Sequence, residues 1–324
     1  MAEPGLSELI TVAQRYRDKP MSDNVLESTA LSLKLQEKGK VKLLGGGRNI
    51  SMPLSYQQNS TYKRYTGDEL LDISKTTVLT SAEYEWKQIA LAITFSGLEV
   101  DVQVTGKEAE FNLVEERLDV AESTFQNEFS TDIYSDGSAD GGKQIGGLQL
   151  IVADTPTNTV GGINGSTSAF WRNFSFDATT DGGAAVTSAN IAQYMDEVYV
   201  NTCRGNDKVD LIVADNNYFI AFLQNMRSRQ IVQDASGKLA AAGFSTLRYM
   251  NAEVVLDGGY GGDAPTNHMY FLNTKHLGLR VAKKRNMAIL PDRNSVNQDA
   301  TVKLMAWAGN LCCSNRFLQG VLKD

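Results

Sequence analysis

Cysteine, histidine and proline are scarce in this chain, at three, two and six among 324 residues. Cys203 stands alone, and Cys312 and Cys313 are adjacent, a pair too constrained for an ordinary structural bridge. With no C-x-x-C spacing either, the thiols read as small buried hydrophobes kept reduced in a cytosol. His268 and His276 stand eight apart, whereas a zinc helix needs them four apart with a glutamate between; they read as surface or packing residues. No metal or cofactor is expected. No run of eighteen apolar residues exists to span a bilayer. The first twenty residues spread Glu3, Glu8, Arg15 and Arg17 along their length, without the charged-then-apolar order of a signal peptide. Synthesis and use in a cytoplasm, with no membrane partner, is the expectation.

An excess of positive charge is also missing. Lysine and arginine number 31 against 38 acidic residues, a net charge of −7. A protein that grips nucleic acid tightly clusters cations on one face, and the longest basic cluster here is Lys283-Lys284-Arg285. DNA contact is therefore expected to be weak and without sequence preference, although enclosing DNA without gripping it fits the charge. Catalytic signatures are lacking too. There is no G-x-S-x-G elbow, and Gly45-Gly46-Gly47 and Gly258-Gly259-Tyr260-Gly261-Gly262 carry neither Walker nor dinucleotide spacing, so they read as turns. Gly141-Gly142-Lys143 lacks the following Ser or Thr of a P-loop. Glu83 and Glu85 share a strand face as a glycosidase pair would, but alternating acids on a strand more simply keep an edge soluble. No enzyme activity is expected.

What the chain does contain is patterned. Leu6, Leu9, Ile10 and Ala13, then Val25, Leu31, Leu33 and Leu35, mark two weak helices in residues 1–38, neither stable alone. Between Lys40 and Phe95 the period becomes two: Met52, Leu54 and Tyr56 alternate with polar residues, as do Ile89, Leu91, Ile93 and Phe95. Residues 57–82 between these strands are rich in Ser, Thr, Lys and Asp and are expected to have few aliphatics, a length that is functional rather than packed. The pattern predicts a long projecting hairpin. Thr105-Gly106-Lys107-Glu108 is a capping box. Behind it Phe111, Val114, Leu118, Ala121, Phe125 and Phe129 recur at helical spacing, predicting an amphipathic helix over about residues 106–130 that packs through Phe111, Val114, Leu118 and Phe125.

Further on, a Gly-rich stretch from Ser135 to Gly183 carries the apolar run Leu148 to Ala153. Ile191–Cys203 and Asn216–Gln230 then read as helices, and Val209–Ala214, Glu253–Leu256 and Met269–Leu272 as strands, which together make an α/β unit. Thr301–Trp307 alternates as a strand expected to return beside the long helix. On the hairpin, Tyr56, Tyr62, Tyr65, Tyr84 and Trp86 are interleaved with Lys63, Arg64 and Lys87. Such a set suits single-stranded nucleic acid or a protein interface. The acidic balance favours the interface, with Tyr56, Tyr62, Lys63, Arg64, Tyr65 and Trp86 as contact candidates.

Several stretches taken in order resemble the major capsid proteins of tailed bacteriophages with the Hong Kong 97-type fold. They are Tyr65-Thr66-Gly67-Asp68-Glu69-Leu70-Leu71-Asp72, the run TSAEYEWKQIALAITFSGLE from Thr80, GKEAEFNLVEER, GKQIGGLQLIVADTP, TVGGING, FWRN and WAGNLCCSNRFLQGVL. The resemblance implies an α+β fold. Its parts would be an N-terminal arm (1–38), an extended loop (39–96), a peripheral domain on a spine helix (97–187 with 291–324) and an axial domain (188–290). It implies self-assembly into hexamers and pentamers of an icosahedral head that encloses double-stranded DNA. Portal and scaffolding proteins, and a decoration protein in some heads, would be its partners, and the virion its location after assembly in a bacterial cytoplasm. Some members carry a scaffolding prefix for which this sequence has no room. Others cross-link a loop lysine to a neighbour's asparagine, but no motif around Lys63 matches. An encapsulin-type nanocompartment shell is the alternative within the same fold, and an enzyme or carbohydrate-binding module the alternative outside it.

Overall fold

The computed structural model describes residues 29–96, 107–228, 246–258, 263–291, 293–294 and 300–324. The stripe Leu6 to Ala13, Val25 and the capping-box residues Thr105 and Gly106 lie outside the described residues, as do the side chains of Phe111 and Val114.

The chain begins its described course with helix α1 (Ala30–Glu37), then β1 (Lys42–Leu44) and the paired strands β2 (Ile50–Ser55) and β3 (Leu79–Tyr84). Strand β4 (Lys87–Ser96) leads to the long helix α2 (Lys107–Tyr134) and the single turn α3 (Leu148–Ile151). The short pair β5 (Thr159–Val160) and β6 (Ile163–Asn164) precedes β7 (Phe174–Asp177). The α/β section follows as α4 (Ile191–Thr202), β8 (Leu211–Ala214), α5 (Asn216–Ser228), β9 (Thr246–Tyr249), β10 (Ala252–Leu256) and β11 (His268–Leu272). Strands β12 (Leu277–Ala282), β13 (Ala288–Ile289), β14 (Arg293–Asn294), β15 (Ala300–Cys313) and β16 (Gly320–Lys323) end it. Asp215 starts α5 by accepting the Tyr218 N–H at 3.0 Å, the usual task of an N-cap aspartate.

Two six-stranded sheets organise these elements. In one, β15 is the centre: β4 lies along it from Ser96↔Ala300 to Lys87↔Gly309, with β12, β13 and β14 on its other side and β1 beyond β12. The other runs β7-β16-β11-β8-β10-β9. Successive side chains of a strand point to opposite faces, and this second sheet is buried on both. Leu211, Val213, Tyr270 and Leu272 join the core shared with α1 and α2, while Ile212, Ala214, Met269 and Phe271 join the core under α4 and α5. That double burial is why Leu211–Ala214 reads as a continuous apolar run rather than an alternation.

Helix α2 is 28 residues long, about 42 Å at ~1.5 Å per residue. Leu118 and Phe125 are 1% and 2% exposed, and Ala121 and Phe129 share their buried face. Phe125 stacks on Phe129 at 5.9 Å, and Phe129 meets the edge of Trp307 on β15 at 5.3 Å. Replacing Leu118 by Ala removes a stem with no solvent to replace it and is expected to cost about 2–5 kcal/mol. A urea titration showing an unchanged midpoint would mean this face does not carry the packing.

The sheets depart from the sequence expectation in three places. Gln88–Phe95 pairs with β15 and not with Met52–Tyr56, whose partner is Leu79–Tyr84. The hairpin is thus β2–β3, and the polar connection is shorter by the residues of β3. Strands β7 and β16, expected in the unit 97–187 with 291–324, lie in the second sheet, β16 beside β11 and β7 at the edge beyond it. Strand β12, expected in the unit 188–290, lies in the first. Period-two alternation identifies a strand but carries no information about which distant strand supplies its partner. Finally, α1 is embedded in the body: Leu31 and Leu35 are fully buried, and Thr29 Oγ1 lies 2.7 Å from Ser130 Oγ. An eight-residue helix has too few hydrogen bonds to persist alone, so this burial is what holds it.

Candidate functional site

The β2–β3 hairpin has a fixed base and an unsupported tip. Register pairs run from Ile50↔Tyr84 to Ser55↔Leu79, and alternation turns Ile50, Leu54, Ala82 and Tyr84 into the core. The Tyr84 hydroxyl donates to the Cys313 carbonyl at 2.8 Å, and the Glu83 N–H donates to the Gly161 carbonyl at 2.9 Å. Gly161 is required there: its φ is +58°, and a Cβ would sit 2.9 Å from Ala82 Cβ. Of the six expected contact residues, two belong to this base. The half-buried Tyr56 ring packs 5.3 Å from Phe170, and the Trp86 indole N–H donates to the Gly47 carbonyl at 3.0 Å. Both hold the hairpin to the body of its own chain.

Past Tyr56 and Val78 the hydrogen bonds become local. Ser60 and Thr76 hydroxyls meet at 3.1 Å, Lys63 pairs with Glu69 at 2.8 Å and donates to the Leu70 carbonyl at 3.3 Å, and the Ser74 N–H donates to Asp72 at 2.9 Å. The four other candidates, Tyr62, Lys63, Arg64 and Tyr65, are all exposed here, Tyr62 by 79% and Tyr65 by 61%. Sequence reasoning missed their companions. Leu70 and Ile73 are 93% and 94% exposed, and Leu71 and Leu79 are exposed with them. The expectation of few aliphatics is therefore corrected. Glu69-Leu70-Leu71-Asp72-Ile73 follows neither a helical nor a strand period, so pattern reading passed over it. Large apolar side chains gathered this densely in water are uncommon on a protein surface.

No protein-family model matches this sequence, and no curated protein does. Solved structures do. The chain is similar to the capsid asymmetric unit of cyanophage A-1(L), with a TM-score of 0.65 at 16% identity over 92% of this chain and 93% of that one. It is similar to the capsid of the native GTA particle, with a TM-score of 0.56 at 14% identity over 92% and 90%. It is similar to the capsid of Myoviridae phage XM1, with a TM-score of 0.54 at 9% identity over 89% and 90%. The chain has the Hong Kong 97-type capsid fold.

Two polar clusters inside this capsid fold have no signature in the sequence. Ser314 Oγ lies 3.1 Å from His276 Nδ1, and His276 Nε2 lies 4.0 Å from Asp207. This is the residue set of a nucleophilic triad, but 4.0 Å is too long for the hydrogen bond that orients the imidazole, and Lys275 holds Asp207 at 2.5 Å. Burial also lowers the His276 pKa. Among the described residues no group of three or more His, Cys, Asp or Glu is placed to hold a metal ion, and no helix is long and apolar enough to cross a membrane.

The other cluster centres on Asp257, at the end of β10. Its carboxylate accepts the Leu31 N–H at 3.1 Å and the Tyr134 hydroxyl, so one side chain joins the start of α1, the end of α2 and the second sheet. Burial is the largest influence and pushes its pKa up to about 6; the bonds from Tyr134, Leu31 and Ala30 pull it down, and the charge of Asp263 adds to the rise. The folded state thus holds a proton that the unfolded chain releases near pH 4. That contribution is complete below the unfolded value and is lost as pH rises through about 6, a swing on the order of 3 kcal/mol. Asp257→Asn removes the swing, so its stability relative to the parent is expected to improve steadily from pH 4 to pH 7. Urea midpoints at each pH measure this, and parallel profiles would refute it.

Proposed function

We propose that this chain is the major capsid protein of a tailed bacteriophage. It assembles in the bacterial cytoplasm into hexamers and pentamers, and these close into an icosahedral head around double-stranded DNA. The supporting observation is the pairing of a capsid fold with a hairpin whose apolar tip its own subunit leaves in water. Shell subunits meet head-to-tail in rings, which requires one protruding and one receiving surface. In this reading residues 39–96 contain the extended loop and α2 is the spine of a peripheral domain. The double-layered α/β section is the axial domain, completed by β7 and β16 from outside residues 188–290.

The subunit acts through contact and performs no chemistry. A net charge of −7 suits a wall that encloses DNA and releases it without a binding penalty. Portal, scaffolding and decoration proteins are the partners this role implies. Negative-stain microscopy of the purified protein is expected to show closed angular particles or rings of subunits. A chain that stays monomeric at every concentration and salt would refute the proposal, and particles loaded with an enzyme instead of DNA would move it to the encapsulin-type reading.

A further inference from the structure

Among the described residues β4 pairs only with β15, which leaves its other side an open edge. Two bonds fix how the backbone faces there. Leu304, opposite Ala92, gives its carbonyl to the Leu290 N–H at 2.8 Å on the far side of β15, so Ala92 turns its own N–H and C=O away from β15. Two residues on, the Thr94 carbonyl accepts from the Arg117 guanidinium on α2. Gln88, Ala90, Ala92 and Thr94 therefore present backbone donors and acceptors to the space between β4 and α2. Edge strands are normally guarded by charge, proline or a bulge. From Gln88 to Ser96 there is no charged residue and no proline, and no bulge interrupts the register.

That space is a groove. Two cavities of about 510 and 770 Å³ meet at Leu91 and Thr124 and together touch every β4 residue from Gln88 to Thr94. Successive side chains alternate between faces, so a groove that touches them all in succession runs along the strand's edge. The opposite wall is α2, where Val120 is 62% exposed.

Its charge is acidic. Glu116, Glu128, Asp132 and Asp140 outnumber Arg117 and Lys143 along it. Burial raises the Asp132 pKa, a bond from Gln144 lowers it, and the charges of Glu128 and Asp140 add to the rise. Arg117 is already engaged, bonded to Thr94 and lying over the Phe95 ring at 5.0 Å. Residues 68–73 of a second copy carry three acids, and a second β4 would bring the same acidic helix with it. Both would set acids against acids.

Independently of the shell reading, we propose that this groove takes an extended basic segment of a second protein as an added strand. The segment pairs with the outward backbone groups of Gln88, Ala90, Ala92 and Thr94. Its aliphatic side chains lie over Val120, and its lysines and arginines reach Glu116, Glu128 and Asp132. In strand addition the main-chain bonds supply affinity and the flanking side chains supply selectivity.

The probe is a fluorescein-labelled peptide that alternates valine with lysine and arginine, titrated by anisotropy into the unassembled full chain. It is expected to bind, while the same peptide with glutamate in place of its cations is not. N-methylation of the amides along one edge of the peptide is expected to abolish binding, and N-methylation along the other edge to leave it. Ala92→Pro removes a donor aimed into the groove, keeps the ladder to β15 and is expected to weaken binding at least about fivefold. Glu128→Lys is expected to weaken it about tenfold. No binding by the basic peptide, or binding indifferent to charge, N-methylation and Ala92→Pro, overturns the added strand. Binding that appears only when Arg15→Glu and Arg17→Glu are present would assign the groove to the chain's own N-terminal segment and overturn the second protein.

Discussion

Replacing residues 57–77 with Asn-Gly is expected to leave a cooperatively folding subunit that forms no shells. The cut keeps the β2–β3 ladder and its ties to Gly161 and Cys313, and Asn-Gly supplies the two-residue turn that hairpins favour. Nothing in the core is removed, because the tip's hydrogen bonds are to itself and its large side chains face water. A modest gain in monomer solubility is expected from losing Leu70, Leu71 and Ile73. On the proposed shell reading, assembly would lose what those residues bury against a neighbour, about 1.5–3 kcal/mol for each large apolar side chain. Several such terms at every contact of a shell shift association by orders of magnitude. Circular dichroism and a cooperative melt check the fold, and sedimentation checks the loss of particles. Normal closed particles from the shortened chain would show that the hairpin is not the assembly element.

Arg316→Met is expected to destabilise the subunit by about 3–5 kcal/mol, a large share of the ~5–15 kcal/mol that typically separates folded from unfolded states. Arg316 is fully buried and has no carboxylate partner among the described residues; its guanidinium donates to the Ile151 carbonyl at 2.6 Å and to the side-chain oxygens of Asn158 and Asn173 at 2.7 and 3.0 Å. Burial is the main influence on its pKa and brings it down to about 10, so the group is still charged at neutral pH. Methionine fills the space but leaves the buried acceptors on Ile151 and Asn173, and the half-buried one on Asn158, without this donor. Arg316→Lys is expected to rescue little, since one ammonium cannot reproduce a planar fork aimed at acceptors on three segments. Guanidinium titrations of both variants measure this, and a methionine variant within 1 kcal/mol of the parent would show that the acceptors find other donors.

By itself the sequence determined the elements whose signals are local. The stripe through Leu118, Ala121, Phe125 and Phe129 marked α2, and the apolar run ending at Ala214 marked β8, because helix and strand periods are written in neighbouring residues. The exposure of Tyr62, Lys63, Arg64 and Tyr65 was legible for the same reason, since residues 57–67 around them carry no aliphatic side chain to bury. Tertiary structure decided everything that depends on a distant partner. It paired Gln88–Phe95 with β15 and carried β16 into the second sheet. It sorted Tyr56 and Trp86 to the hairpin's base and left Leu70 and Ile73 in solvent. It gave Asp257 its two tethers, to Leu31 and Tyr134, 226 and 123 residues away along the chain. A carboxylate's pKa and a leucine's exposure are set by what lies within a few ångströms, and no pattern along the chain encodes which distant segment will lie there.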